Sequence, residues 1–323
     1  MHDRLLPVCV QPFADESGMG CCLRAAAHNA CSLSQLRRLL GVGENEQFKH
    51  IHSERLSQAT GIHAGWLAHA LPTVVGYGAG ARLTCYGHSF RSRMAFRTRV
   101  PQVCWACIRQ FGYAKASWDL GLSTVCTVHE CDLTDRCQTC GASLRWDRPD
   151  INWGHCGHGV ATPPASRADA SQCTGLQSIL DASLMCEPVR HNLAGAGLFE
   201  WLDGLSPNGW TDLVMAFGSQ ANALVAPPRG SFSRHHSTDS ARQIASTGWL
   251  RLNAWAQGEI SHPTMRDLVA EPPLLGLLLE PATDLDQRIG NRIYSLLFGD
   301  ARSSALRREN PALAQMSLFE DMP

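Results

Sequence analysis

Cysteine and histidine crowd one short stretch of this chain at spacings that can bind metal. Cys104-x-x-Cys107 is followed after eighteen residues by Cys126-x-x-His129, then by Cys137-x-x-Cys140, and fifteen residues later by Cys156-Gly-His158. A tetrahedral ion takes four nitrogen or sulfur donors, and a two-residue spacer lets one tight turn present two of them. Cys104, Cys107, Cys126 and His129 make one complete set. Cys137, Cys140 and Cys156 make a second, with either His158 or His155 as the fourth donor. Both sets are complete without water. The chemistry expected is therefore structural, with two Zn2+ ions per chain, and not that of a catalytic ion with an open position.

Other chemistry is not indicated. There is no glycine-rich phosphate loop followed by Lys-Ser/Thr, no His-Glu-x-x-His, no Gly-x-Ser-x-Gly and no marked triad of acids. Cys137-x-x-Cys140 lacks the His-x-Glu partner of a zinc deaminase. A metal-dependent nucleic-acid enzyme is thus the least favoured reading. Fourteen cysteines could frame disulfides, but their pairing as Cys-x-x-Cys and Cys-x-x-His and the lack of a signal peptide point to reduced thiols and a cytoplasmic setting. The longest apolar run is far short of a membrane span.

The elements that position the donors are mainly helical. With 323 residues, 44% hydrophobic, 18% charged and a net charge of -1, the chain has the composition of a soluble globular protein of two or three domains. Helices are expected at 16–30, at 33–40 behind the cap Ser32, at 53–60 and at 63–71, with Gly61-Ile62 as the last turn. Leu56, Ile62 and Leu67 fall where a helix-turn-helix buries its contacts. Its second helix offers His63, Trp66 and His69 but no Arg, Asn or Gln to read base edges, which favours a structural or partner-binding role.

Residues 73–100 read as a connecting loop with short strands. Between Arg55 and Ser117 there is no acid but there are eight bases, and Arg82, Arg91, Arg93, Arg97 and Arg99 are the candidates for phosphate contact. The divisions expected are 1–100 (helix-turn-helix and basic stretch), 101–160 (tandem zinc fingers), a linker at 161–174, a helical domain at 175–300 and a polar tail at 301–323. Within the helical domain, helices are expected at 175–184, 192–205, 210–217, 241–258, 263–271 and 284–298, with an apolar run at 272–280 and a basic Pro/Gly-rich loop at 226–237.

Pro101-Gln-Val-Cys104-Trp-Ala-Cys107, Gly112-Tyr113, Trp118, Cys126-Thr-Val-His129-Glu-Cys-Asp-Leu133 and Cys137-Gln-Thr-Cys140-Gly141-Ala-Ser-Leu144 together resemble the TniQ family. Leu6-Pro7, Glu16-Ser17 and the Asn29, Leu36, Leu40-Gly41 stretch extend the likeness to the start, so that it covers about 5–160. TniQ and its relative TnsD select target sites for transposons that move with a separate transposase and an AAA+ ATPase. The resemblance implies a non-enzymatic adaptor. It would join a targeting module, either target DNA or an RNA-guided CRISPR effector complex, to the ATPase and through it to the transposase, with a homodimer left open. Two departures stand out. Trp153 occupies the place of the first cysteine in the family's last Cys-x-x-Cys-Gly, and Cys131 adds a spare sulfur. A stand-alone zinc-containing DNA-binding transcription regulator is the alternative reading.

Overall fold

The computed structural model describes residues 6–43, 46–76, 81–91, 95–159, 170–187, 202–219 and 237–299. The fold is mainly helical, and the chain divides into two compact units. The first holds Met1–Glu187 with Gly230–Arg242, and the second holds Pro188–Arg229 with Gln243–Pro323.

In the first unit, α1 (Gly18–His28) starts at Ser17, whose hydroxyl accepts the Gly20 N–H at 3.3 Å. Two glycines do not break this helix, because packing requires one of them. A Cβ on Gly18 would lie 2.2 Å from the carbonyl oxygen of Ala70. The end of α4 therefore rests directly on the α1 backbone. α2 (Leu33–Leu39) carries a complete capping box between Ser32 and Gln35. A 3-10 turn at His50–His52 leads into α3 (Ser53–Thr60), Gly61 closes it at φ +75°, and α4 (Ala64–Ala70) follows. Leu56, Ile62 and Leu67 are all buried, as the spacing of this helix pair requires.

The short strands expected in the connecting stretch form a three-stranded antiparallel meander of β1 (Thr73–Val75), β2 (Arg82–Cys85) and β3 (His88–Phe90). Tyr86 and Gly87 link β2 to β3 with φ of +53° and +77°, the signs a two-residue primed turn demands. Tyr86 adopts this unusual conformation inside a buried network. It accepts the Gly18 N–H at 3.0 Å and donates to Asp119 at 3.2 Å, and Ser17 donates to the same carboxylate oxygen at 2.8 Å. The start of α1, the β2–β3 turn and the 3-10 turn at Ala116–Asp119 are thereby joined.

α5 (Trp105–Phe111), the short hairpin of β4 (Val125–Cys126) and β5 (Cys131–Asp132), and α6 (Ala170–Leu184) complete this unit. α6 begins inside the segment expected to be a linker. Gln177 accepts from the Thr124 N–H and donates to Ser123, which fixes α6 beside β4. One continuous core contains Leu23, Leu36, Leu56 and Leu67 from the helices and Val103, Ile108, Trp118 and Leu144 from the cysteine-rich stretch. The cysteine-rich stretch is thus packed into the helical region and is not a free-standing lobe.

The second unit contains α7 (Pro207–Gly218), which is buried along nearly its whole length. It also holds most of α8 (Thr238–Ala256), α9 (His262–Leu268), α10 (Glu271–Leu279) and α11 (Asp284–Phe298). The apolar run at 272–280 is therefore mostly helix, with its prolines in the first turn where their missing N–H is harmless. Asp286 of α11 accepts both the Ser206 N–H and hydroxyl, at 2.9 and 2.6 Å, ahead of α7. The helix expected at 192–205 lies outside the described residues except for 202–205, which form a turn. The loop at 226–236, Arg93 and the tail from 301 also lie outside them.

Candidate metal centres

The first centre is assembled from a helix start and a hairpin. Cys104 caps α5, and its sulfur accepts the Cys107 N–H at 3.4 Å. Cys126 ends β4, and its sulfur accepts the His129 N–H, also at 3.4 Å. Each two-residue spacer therefore makes the same local turn. The two turns are held together by paired backbone hydrogen bonds between Val103 and Thr134, at 2.9 and 3.0 Å. Nδ1 of His129 lies 3.6, 3.1 and 3.7 Å from the sulfurs of Cys104, Cys107 and Cys126, and the Cys107 and Cys126 sulfurs are 3.4 Å apart. A tetrahedron built from usual zinc bond lengths has edges of about 3.5–3.8 Å; the 3.6 and 3.7 Å separations lie in that range, and the two at Cys107, 3.1 and 3.4 Å, are shorter. Nε2 of His129 faces Oε1 of Gln110 at 2.9 Å. An acceptor there fixes the ring and leaves Nδ1 free to bind an ion.

The thiols do not titrate as isolated groups. The Cys107 side chain, as hydrogen-bond donor, draws Cys104 down to about 7. Cys126 is lowered through hydrogen bonds with Cys104 and Cys107, and Cys107 is raised by the same sharing. Closely packed thiols that share protons are ready to exchange them for an ion, which binds the thiolate.

The second centre brings Cys137, Cys140, Cys156 and His158 together, with all four donor atoms within 4.8 Å of one another. His155 is exposed and is not among them. Cys137 is buried, while Cys140 and His158 are exposed. Burial pushes the Cys137 thiol up, but the backbone N–H groups of Cys140 and Thr139 and the Cys156 side chain outweigh it and bring it to about 6. A tight turn carries the second pair: Gly154 N–H donates to the His158 carbonyl at 2.8 Å, and Trp153 pairs with Gly159. Trp153 is 45% exposed, and on the facing arm Nδ1 of His158 lies 3.8 Å from the Cys137 sulfur. Both quartets consist of protein donors alone and suit a tetrahedral N/S-binding ion.

Residues 7–133 match the TniQ family. The match covers 127 of the 323 residues. The match includes every donor of the first centre and ends before the second, which starts at Cys137. It links the chain to transposon target selection in general terms. No curated protein matches the chain.

Within the matched residues the expected phosphate-binding arginines separate. Arg97 is a correction: it is 1% exposed, with its guanidinium 3.5 Å from Asp135, so it serves the core and not a nucleic acid. Its charge was legible in the sequence, but its partner 38 residues away was not. Arg99 is exposed, whereas Arg82 and Arg91 are half-buried. Gln110, which sequence reasoning passed over, stands three residues after Cys107 on α5, and that spacing places both on one helix face. All fourteen cysteines are free thiols, and no described helix is long and apolar enough to cross a membrane.

Proposed function

We propose that this protein is a non-catalytic adaptor in transposition. It joins a targeting module, either target DNA or an RNA-guided effector complex, to an AAA+ ATPase and through that ATPase to the transposase. The observation that carries this reading is the TniQ match over 7–133. The closed donor sets support it, because four protein ligands leave no vertex for an activated water. Zinc is the ion proposed for both centres, where it supplies a structural cross-link. Cys104 and Cys107 tie the start of α5 through it to Cys126 and His129 of the hairpin. Arg99, with Arg82 and Arg91, is proposed to follow a phosphate backbone, a contact that positions without reading sequence.

The test is transposition reconstituted with the ATPase and transposase. Adding the protein should change where insertion occurs and make it depend on the target signal, while the protein alone neither cleaves DNA in magnesium nor hydrolyses ATP. Insertion unaffected by the protein in both frequency and site would end this reading. Tight binding of one duplex sequence by the purified chain, without the other components, would favour the transcription regulator.

A further inference from the structure

Cys131 lies beside the first centre but outside its quartet. It stands on β5 directly across from Cys126. Side chains paired in this way hold their Cβ atoms about 4.5–5.5 Å apart on one face. Its sulfur is 3.5 Å from that of Cys104, close to the spacing of two thiolates on one zinc ion. His129, by contrast, is the least enclosed of the four donors: the three cysteines are buried and the histidine is half-buried. One exposed hydrogen bond to Gln110 holds the far side of its ring. The centre therefore has five donors for four positions, and the fifth is fixed by strand pairing.

We propose that Cys131 is a reserve ligand of the first centre, taking the fourth position when His129 leaves it. The inference rests on the reading that this centre binds metal. In the exchange the metal–Nδ1 bond breaks and a metal–sulfur bond forms. The Cys131 thiol proton passes to the departing imidazole. The ligand set changes from three thiolates and one imidazole to four thiolates, and the ion is not released. His129 can then swing outward toward a partner without loss of the cross-link between α5 and the hairpin.

Cobalt(II) is the probe, used with the full-length protein in place of zinc. Wild type and Cys131→Ala should each take up two ions. His129→Ala should also keep two, with stronger thiolate-to-cobalt absorbance, and His129→Ala/Cys131→Ala should keep one. Loss of an ion from His129→Ala as complete as from the double variant would overturn the proposal. A wild-type chain that takes up no ion at this centre would instead overturn the metal reading beneath it. A milder pair of variants covers a failure to fold. Gln110→Ala retains the imidazole but releases its far nitrogen, and it should raise the thiolate absorbance only where Cys131 is present. Equal spectra for Gln110→Ala and Gln110→Ala/Cys131→Ala would count against Cys131.

Discussion

Nε2 of His129 lies 2.9 Å from Oε1 of Gln110, so the orientation of an imidazole in the proposed metal centre depends on a neutral side chain three residues past Cys107. Removing such a partner usually lowers metal affinity roughly 10–100-fold. Gln110→Ala, made in a Cys131→Ala background so that no other sulfur intervenes, should weaken the first centre by that factor. Competition with a chromophoric chelator measures it, and an unchanged affinity would mean the contact is incidental.

The two centres should differ in their importance to the fold. Cys107 sits in the continuous core with Leu23, Leu56 and Trp118, whereas Cys140 is exposed. A structural zinc site contributes roughly 10–16 kcal/mol of apparent binding free energy to folding. Cys107→Ser should leave the first unit unfolded or melting far below wild type. Cys140→Ser should cost one ion and a smaller shift. Elemental analysis with thermal denaturation separates the cases, and equal shifts would contradict the packing.

Arg97 and Arg99 are two residues apart and should respond oppositely. Breaking a buried ion pair on one side costs roughly 3–5 kcal/mol, so Arg97→Ala should lower the denaturation midpoint clearly, since Asp135 keeps its charge. Arg99→Ala should leave stability within about 0.5 kcal/mol. If Arg99 touches phosphate, the same change should reduce the salt slope of duplex binding by about 0.9. An Arg97→Ala variant as stable as wild type would overturn the first half.

Asp119 gives a signed pH dependence. Burial raises its pKa from 3.8 to about 7, against hydrogen bonds from Ser17 and Tyr86 and the nearby Arg97, which lower it. The folded state therefore holds a proton that the unfolded state has lost between those values. Its contribution to stability is greatest below about 4, declines as pH rises to about 7 and is level beyond. Stability curves of wild type and Asp119→Asn should diverge across that window. Parallel curves would show that the carboxylate is charged throughout.

Much of this was readable from the chain because the controlling interactions are local. Ser32 with Gln35, and Gly61 after Thr60, set helix ends within a few residues, and Cys104–Cys107 and Cys126–His129 make their turns within four. What could not be read depends on distant partners. The histidine of the second centre was decided by a turn that brings 158 to Cys137, the sheet at 73–90 by pairing among strands with weak individual signals, and the role of Arg97 by Asp135. Cys131 was visible as a spare sulfur. Its register opposite Cys126 was not.

The sulfur-accepting turns also bear on how the chain reaches this structure. Cys104 with Cys107, and Cys126 with His129, form their turns through backbone hydrogen bonds between near neighbours. Such turns can form before any long-range contact exists. An ion caught by one turn converts the search for the other into closure of an eighteen-residue loop. Closing a ten-residue loop takes on the order of 10–100 ns, and the entropic cost grows only logarithmically with length. If the first centre binds zinc as proposed, available metal would enter this pathway early, drawing α5 and the hairpin together while the core between them is still forming.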